Sequence, residues 1–208
     1  MPRKARIVTI SMPNADGPTI ADNLARAEAL VAYAGAGHPD YICLPEVFAT
    51  RGVPYADVAE VAQTVPGPIT DTIAAHARRL GAYIVCPLLA RRGDRIYNTA
   101  VLLDRHGQVA GLYDKVHPVP GEDGVTLERG VHSGSAPHVI ETDLGRVGMQ
   151  ICFDMNWPNE WAALKQQGAE LVFWPSAFEG GLPLQSRAMD NHYTIVTSTT
   201  MLHSRIID

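Results

Sequence analysis

Three residues of reactive type, Glu46, Lys115 and Cys152, each follow an apolar run of strand length in the sequence. Loops at strand ends are common places for catalytic side chains. A thiol can attack a carbonyl carbon, a carboxylate can take the thiol proton, and an ammonium can stabilise the negative charge that develops on the substrate oxygen. Together the three residue types predict acyl transfer through a cysteine.

The three cysteines of the chain stand in different settings. Cys43 and Cys86 lie inside strongly apolar runs, which predicts buried core thiols. Burial is the common fate of Cys152 too, but it stands where an apolar run turns polar, so that a neighbouring amide N–H can face it. An odd number of widely spaced cysteines without C-x-x-C predicts no disulfide framework and no zinc site. Reduced thiols favour a cytoplasmic protein.

The elements that must position these residues alternate between strands and helices. Apolar runs predict strands over 7–10, 41–44, 82–89, 97–103, 109–113, 138–142, 146–151, 171–174 and 194–199. Helical periodicity predicts helices from Thr19 to about Gly35, 69–80, 159–167 and 184–191. Between 115 and 137 the chain is rich in Gly, Pro, Glu and His, which predicts a long functional loop. The pattern predicts a layered α/β fold with mixed sheets.

Composition restricts the class of protein. With 208 residues, 46% hydrophobic and 19% charged, the chain has the size and balance of one soluble globular domain over 1–208. Seventeen basic and twenty-two acidic residues give a net charge of −5, which does not favour a nucleic-acid partner. Apolar runs are too short to span a membrane. The eight histidines have no metal-ligand spacing, and no nucleotide-binding motif occurs, so neither a metal nor a cofactor is expected.

The three reactive positions lie in segments that resemble, in the same order, the signature segments of the nitrilase superfamily, the carbon–nitrogen hydrolases. These segments are YICLPE at 41–46, YDKVHP at 113–118 and GMQICFD at 148–154. The resemblance implies an αββα sandwich and a catalytic triad of Glu46, Lys115 and Cys152. The lysine segment departs from the family's usual Arg-Lys-x-His-Leu, since Asp114 precedes the lysine and Pro118 follows the histidine, which puts the local geometry in question.

The resemblance also suggests a second glutamate near the lysine loop. Glu128, in the segment LERGVHSG at 127–134, matches this part of the family pattern and is our choice. Glu122 is the competitor. Either side chain could equally be a solvated loop charge, because exposed glutamate is the usual case.

Residues after the cysteine bear on the substrate. Phe153 and Asp154 resemble the amidase and carbamoyl-hydrolase members, so hydrolysis of an amide or N-carbamoyl bond through a thioester is the leading hypothesis. Nitrile hydrolysis and a catalytically silent interaction module are the alternatives. Lys115 and the N–H of Phe153 would stabilise the oxyanion. Trp174 and Ser176, in a segment like the family's substrate-facing strand end, would line the pocket, although an aromatic at the end of an apolar run is as often core.

The resemblance also implies two properties of the whole protein, its association and its length. Family members associate through the helix after the cysteine strand, here 159–167, and through a tail, which implies a homodimer or larger homo-oligomer. Trp157 and Trp161 are candidate interface residues, with core packing as the alternative. Family members also usually continue for several tens of residues beyond this point, so a C-terminal part is expected to be missing.

Overall fold

The computed structural model describes residues 4–13, 17–120 and 128–208. The first sheet has the order β1-β2-β3-β4-β5, with parallel pairing among β1, β2 and β3 and two antiparallel hairpins after them. Its strands are β1 (Ile7–Thr9), β2 (Tyr41–Cys43), β3 (Tyr83–Arg92), β4 (Arg95–Leu103) and β5 (Val109–Asp114). Two successive antiparallel hairpins therefore complete this sheet.

The second sheet has the order β10-β9-β8-β7-β6. Its three central strands, β7, β8 and β9, are parallel, and both edge strands pair antiparallel to them. The strands are β6 (Ile140–Thr142), β7 (Gly145–Met149), β8 (Leu171–Ser176), β9 (Thr194–Thr199) and β10 (Ile206–Ile207). Each sheet thus mixes parallel and antiparallel pairs, as predicted.

Four helices cover the outer faces of the sheets: α1 (Ile20–Gly35), α2 (Pro68–Leu80), α3 (Pro158–Gln166) and α4 (Leu182–Asn191). Local sequence sets their ends. Thr19 caps α1 by accepting the Asp22 N–H at 3.1 Å, and Pro68 occupies the first position of α2, where no N–H is needed. Gly81 ends α2 in the left-handed conformation that glycine adopts without strain.

The core is layered because strand side chains alternate between the two faces of a sheet. In β3, Ile84 and Cys86 pack under α1 and α2, whereas Tyr83 and Val85 face the second sheet. On the second sheet, Phe173 faces inward, and its neighbouring positions pack under α3 and α4. The layers follow the order helices, sheet, sheet, helices, so the predicted αββα sandwich is confirmed.

Several predicted boundaries differ from the structure. β7 ends at Met149 instead of Ile151, and β8 continues to Ser176. Two 3₁₀ helices, Val58–Glu60 and Cys152–Asn156, were not predicted, because such short turns have no sequence period of their own. None of the helices in the described part of the chain combines the length and the hydropathy needed to span a bilayer.

Candidate active site

Glu46, Lys115 and Cys152 come together at one point between the two sheets. Glu46 follows β2 and Lys115 follows β5, whereas Cys152 follows β7 of the other sheet. The Lys115 Nζ lies 2.9 Å from Glu46 Oε1. All three residues are at least 95% buried. The structure therefore brings together the three residues that the sequence singled out, and their catalytic roles stay predictions.

The backbone is strained at two of these turns. Cys152 has φ +47° at the start of its 3₁₀ helix, and Val47, directly after Glu46, has φ +42°. Residues with side chains rarely adopt this left-handed region, and a β-branched residue such as valine does so at the highest cost. Strain of this kind costs about 1–3 kcal/mol per residue and is common at functional sites. The two turns thus project Cys152 and Glu46 in directions that regular strands would not give.

Lys115 is held by backbone and side-chain contacts. Its N–H donates to the Asn98 carbonyl at 2.8 Å, and its own carbonyl accepts from Gly134 N–H at 2.8 Å. Its ammonium donates to Glu46 Oε1 and to Glu128 Oε2 at 2.8 Å. Burial by itself disfavours the charged amine, but the nearby Glu46 and Glu128 carboxylates outweigh it and raise the pKa of Lys115. The lysine is therefore a cation at every physiological pH.

Glu128 belongs to the same network as the lysine. Its Oε2 accepts from Lys115 and from the Val119 N–H at 2.8 Å, and its Oε1 accepts from Asn98 at 2.7 Å. The side chain is only 19% exposed. The alternative that Glu128 is an ordinary solvated loop charge is therefore wrong. The competitor, Glu122, lies outside the described residues.

Asn98 is a site residue that the sequence reasoning missed. Its Nδ2 donates to Glu46 Oε1 at 2.8 Å and to Glu128 Oε1 at 2.7 Å, so one amide connects both carboxylates. Carboxylates only accept, which fixes the orientation of this amide. The available signal was an asparagine inside the apolar run of β4, since a buried polar side chain needs partners.

The thiol of Cys152 is neutral in the resting site. Burial and the Glu46 carboxylate raise the pKa of Cys152 to about 12, against the opposing effects of the Lys115 ammonium, the Ser176 hydroxyl and the Ala177 N–H. The same Ala177 N–H donates to Glu46 Oε2 at 2.8 Å, which brings the carboxylate and the thiol to one backbone amide. The site therefore holds a protonated nucleophile beside a base.

The site opens into a cavity of about 360 Å³. Glu46, Asn98, Lys115, Glu128 and Cys152 form its polar part. Its remaining lining residues are Val47, Tyr55, Ala56, Asp57, Val58, Leu89, Val119, Arg129, Gly130, Val131 and Ala177.

The three residues expected to contact substrate, Phe153, Trp174 and Ser176, lie in different surroundings. Trp174 does not line the cavity, because it is fully buried in the core under α3 and α4, where its Nε1 donates to the Cys152 carbonyl at 3.0 Å. Ser176 does not line the cavity either, because it is fully buried, and its hydroxyl forms a hydrogen bond with the Cys152 thiol. Phe153 is the second residue of the 3₁₀ helix, where a backbone N–H has no intrahelical acceptor.

Asp154 connects the cysteine turn to the lysine loop. Its carboxylate accepts from Ile151 N–H at 3.1 Å, from Tyr113 Oη at 2.8 Å and from His117 N–H at 2.9 Å. Tyr113 and His117 flank Lys115 by two residues on either side. Burial raises the pKa of Asp154 to about 6, although these hydrogen bonds favour its charged form. One side chain thus links the turn carrying the thiol to the loop carrying the ammonium.

The surroundings of Asp154 also include the one group in the described part of the chain with three possible metal-ligand atoms within 4.8 Å of one another: His117, Asp154 and Glu160. His117 Nε2 lies 2.7 Å from Glu160 Oε1, and its ring stacks on Trp157 at 3.5 Å. Since these atoms already bond to one another or to the backbone, the group anchors the lysine loop to α3.

The carbon–nitrogen hydrolase family profile matches residues 4–208. Deaminated glutathione amidase from Synechocystis sp. is 31% identical over 205 residues, covering 89% of this chain and 75% of that protein. Omega-amidase NIT2 from Danio rerio is 28% identical over 193 residues, covering 86% and 69%. The crystal structure of an amidase from Nesterenkonia sp. superposes with a TM-score of 0.81 at 25% identity, covering 96% of this chain and 77% of that one.

Proposed function

The chain belongs to the carbon–nitrogen hydrolase family, in the amidase branch of the nitrilase superfamily, and we propose that it hydrolyses small amides with Cys152 as nucleophile, Glu46 as base and Lys115 as oxyanion partner. The enzyme acts on amides, as its amidase relatives do by name. The residue roles rest on the geometry of the site. The observation that carries them is the buried contact of one ammonium with two carboxylates beside a neutral thiol.

In the acylation half-reaction, Glu46 takes the thiol proton while the Cys152 sulfur bonds to the amide carbon. The carbonyl π electrons move to oxygen and form a tetrahedral oxyanion. An ammonium has three N–H donors, and two of those on Lys115 are used by the glutamates. The third, together with the Phe153 N–H, stabilises the oxyanion. Collapse of the oxyanion breaks the C–N bond, Glu46 returns the proton to nitrogen, and ammonia or an amine leaves.

In the deacylation half-reaction, water attacks the thioester carbon and Glu46 takes the water proton. The second oxyanion uses the same two donors. Its collapse breaks the C–S bond, and the proton on Glu46 returns to sulfur, which releases the carboxylic acid and restores the thiol. Glu128 supports this cycle by holding Lys115 between two negative charges.

The proposed chemistry is tested by ammonia release from matched amides, N-carbamoyl compounds and nitriles. We expect turnover of amides, and loss of at least about a thousandfold in Cys152→Ala, because the nucleophile is removed. Glu170→Gln, a change on the surface far from the cavity, is the control. Turnover of nitriles without turnover of amides would contradict the chemistry, and wild-type activity in Cys152→Ala would contradict the nucleophile.

We also infer that residues 1–208 belong to one domain, that the protein is cytoplasmic and that it assembles as a homodimer or larger homo-oligomer. The shared core between the sheets supports the first inference. Three free buried cysteines are consistent with a reducing compartment. Exposed apolar side chains on α4 and near β10, among them Leu182, Met189 and Leu202, support association. Trp161 is fully buried in the core, so it is not an interface residue.

A further inference from the structure

The wall of the cavity beyond the polar residues is mostly aliphatic. Five branched aliphatic side chains line it, Val47, Val58, Leu89, Val119 and Val131, together with the exposed ring of Tyr55. Ligand pockets commonly combine an apolar wall with a few polar groups that fix orientation. Here the polar groups around Lys115 and Cys152 belong to the proposed reaction, so the aliphatic wall is left to contact the rest of the substrate.

The aliphatic wall is held in place before substrate arrives. Val58 and Leu89 belong to a small hydrophobic cluster with Val61 and Ile96, and Val47 and Val131 pack against it. All four cluster members are at most 6% exposed. A closely packed cluster of this kind presents a fixed surface instead of a flexible one.

Two features of the chain fix Val58 in particular. The 3₁₀ helix that carries it begins with a capping box, in which Asp57 accepts the Ala59 N–H at 2.8 Å and Glu60 accepts the Asp57 N–H at 3.0 Å. On the other side, Gly130 has φ +81° and comes so close that a Cβ there would lie 2.8 Å from Val58 Cγ1. The turn after Glu128 therefore packs directly on Val58.

The charges around the cavity disfavour an anionic substrate. Among the described lining residues, three are acidic, namely Glu46, Asp57 and Glu128, and two are basic, Lys115 and Arg129. The ammonium of Lys115 is already bonded to both glutamates. Arg129 is solvent exposed, where ion pairs contribute little. A carboxylate on the substrate would thus meet net negative charge and an apolar wall inside the cavity.

From the aliphatic wall and the charges around it, we infer that the enzyme selects amides whose acyl group is a short, uncharged aliphatic chain, with Val58 and Leu89 as specificity-determining residues. This inference rests on the proposed function and adds its substrate class. Each methylene of the acyl chain that reaches the wall leaves water for an apolar surface. The expected gain in kcat/KM is about fourfold per methylene from acetamide to butyramide.

The test compares butyramide with succinamate, an amide of similar length that ends in a carboxylate. We expect kcat/KM to be at least about tenfold higher for butyramide. Val58→Thr keeps the β-branched shape but puts a hydroxyl on the wall, and should lower the ratio of kcat/KM for butyramide to kcat/KM for acetamide several-fold. Val61→Thr is the matched control, because Val61 lies in the same cluster but does not line the cavity.

Three results would overturn the inference in distinguishable ways. If kcat/KM for succinamate equals that for butyramide and falls in Arg129→Ala, the enzyme recognises a carboxylate instead. If Val58→Thr and Val61→Thr change the ratio of kcat/KM for butyramide to kcat/KM for acetamide equally, the wall does not contact the acyl chain. If wild-type protein hydrolyses none of these amides, the proposed function itself fails, and the substrate class with it.

Discussion

Lys115 is the residue through which the charges of the site are balanced. Two carboxylates, Glu46 and Glu128, lie on its ammonium, and Asn98 donates to both of them from the other side. A buried charge is tolerated only when it is paired and hydrogen-bonded. The network therefore gives both carboxylates hydrogen-bond donors in a site that is largely closed to solvent.

Replacing the lysine should remove both the proposed oxyanion donor and a buried cation. We expect Lys115→Ala to lower kcat by about 10²–10³, the range for loss of one oxyanion donor. We also expect it to lower the free energy of unfolding by about 3–5 kcal/mol, because two buried carboxylates lose their partner. Activity assays and urea unfolding measure the two effects. Lys165→Ala, on the exposed side of α3, is the control, and equal activity in both variants would exclude the lysine from the reaction.

The resting thiol gives a prediction about chemical labelling. Since the pKa of Cys152 is raised to about 12, the fraction of thiolate rises about tenfold per pH unit through the neutral and mildly alkaline range. Iodoacetamide labelling, followed by mass spectrometry, should rise with pH in the same way without a plateau below pH 10. Cys43 and Cys86, both fully buried, should stay unlabelled in the folded protein. A plateau near pH 7 would mean that a thiolate is already present.

The Glu46→Gln variant separates the two effects of the carboxylate. Its negative charge raises the pKa of Cys152, so its removal should speed labelling at pH 8 even though amide hydrolysis is lost. Labelling that slows in this variant would instead mean that Glu46 acts as a base on the thiol without substrate.

At the scale of elements, the site depends on hydrogen bonds between the segments that follow two strands. The turn after β7 carries Cys152, and the loop after β5 carries Lys115. These elements belong to different sheets, and Asp154 connects them through hydrogen bonds to both. A thiol and an oxyanion donor must be placed within fractions of an ångström of the productive geometry. We therefore expect the connection to contribute to catalysis without touching substrate.

The Asp154→Asn variant tests this connection. An amide has one acceptor oxygen where the carboxylate has two, so a buried N–H or O–H loses its partner. We expect kcat to fall by about tenfold or more with little change in KM, because the reacting groups are misplaced while the cavity remains. A raised KM with an unchanged kcat would contradict the positioning role. Asp190→Asn on the exposed side of α4 is the control.

The same residue affects how stability depends on pH. The folded pKa of about 6 lies above the usual 3.8, so the folded protein holds this proton more tightly than the unfolded chain. The resulting stabilisation is complete below about pH 4 and is lost as pH rises through 6, a change of about 3 kcal/mol. Between pH 4.5 and 6.5, Asp154→Asn should therefore lose less unfolding free energy than wild type in urea titrations. A parallel change in both proteins would contradict the raised pKa.

At the scale of the whole molecule, the candidate site exists because two sheets pack face to face. The inner cluster joins Val85 and Tyr113 of one sheet to Met149 and Phe173 of the other. Glu46 and Lys115 come from one side of this cluster and Cys152 from the other. Correct packing of the two sheets is thus a condition for the reaction.

The predicted homodimer can be tested on the apolar surface of α4. Met189 is 71% exposed on this helix. Met189→Glu should shift the association equilibrium toward monomer, since a charge placed at an apolar interface must lose its hydration. Sedimentation measures this. Tyr33→Glu on α1, in the opposite helix layer and 83% exposed, is the control. Monomeric wild-type protein at micromolar concentration would show that the prediction of a dimer is wrong.

Much of the fold is encoded locally and could be predicted. Side-chain alternation in β3 and the helical period of α1 depend on residues that are neighbours along the chain. The three reactive positions could also be found, because each follows an apolar strand. The 3₁₀ helix of Cys152–Asn156 could not, since so short a turn has no sequence period and two partners of its Asp154, Tyr113 and His117, are distant in sequence.

The sequence by itself thus determined the layers of the sandwich and the identities of Glu46, Lys115 and Cys152. Only the tertiary structure decided that Asn98 bridges two carboxylates, that Glu128 joins the network, and that Trp174 is core instead of cavity wall. The physical reason is the distance along the chain over which each interaction acts. Period and propensity act between neighbours along the chain, whereas hydrogen-bond partners and cavity walls are set by residues that meet only after the two sheets have packed.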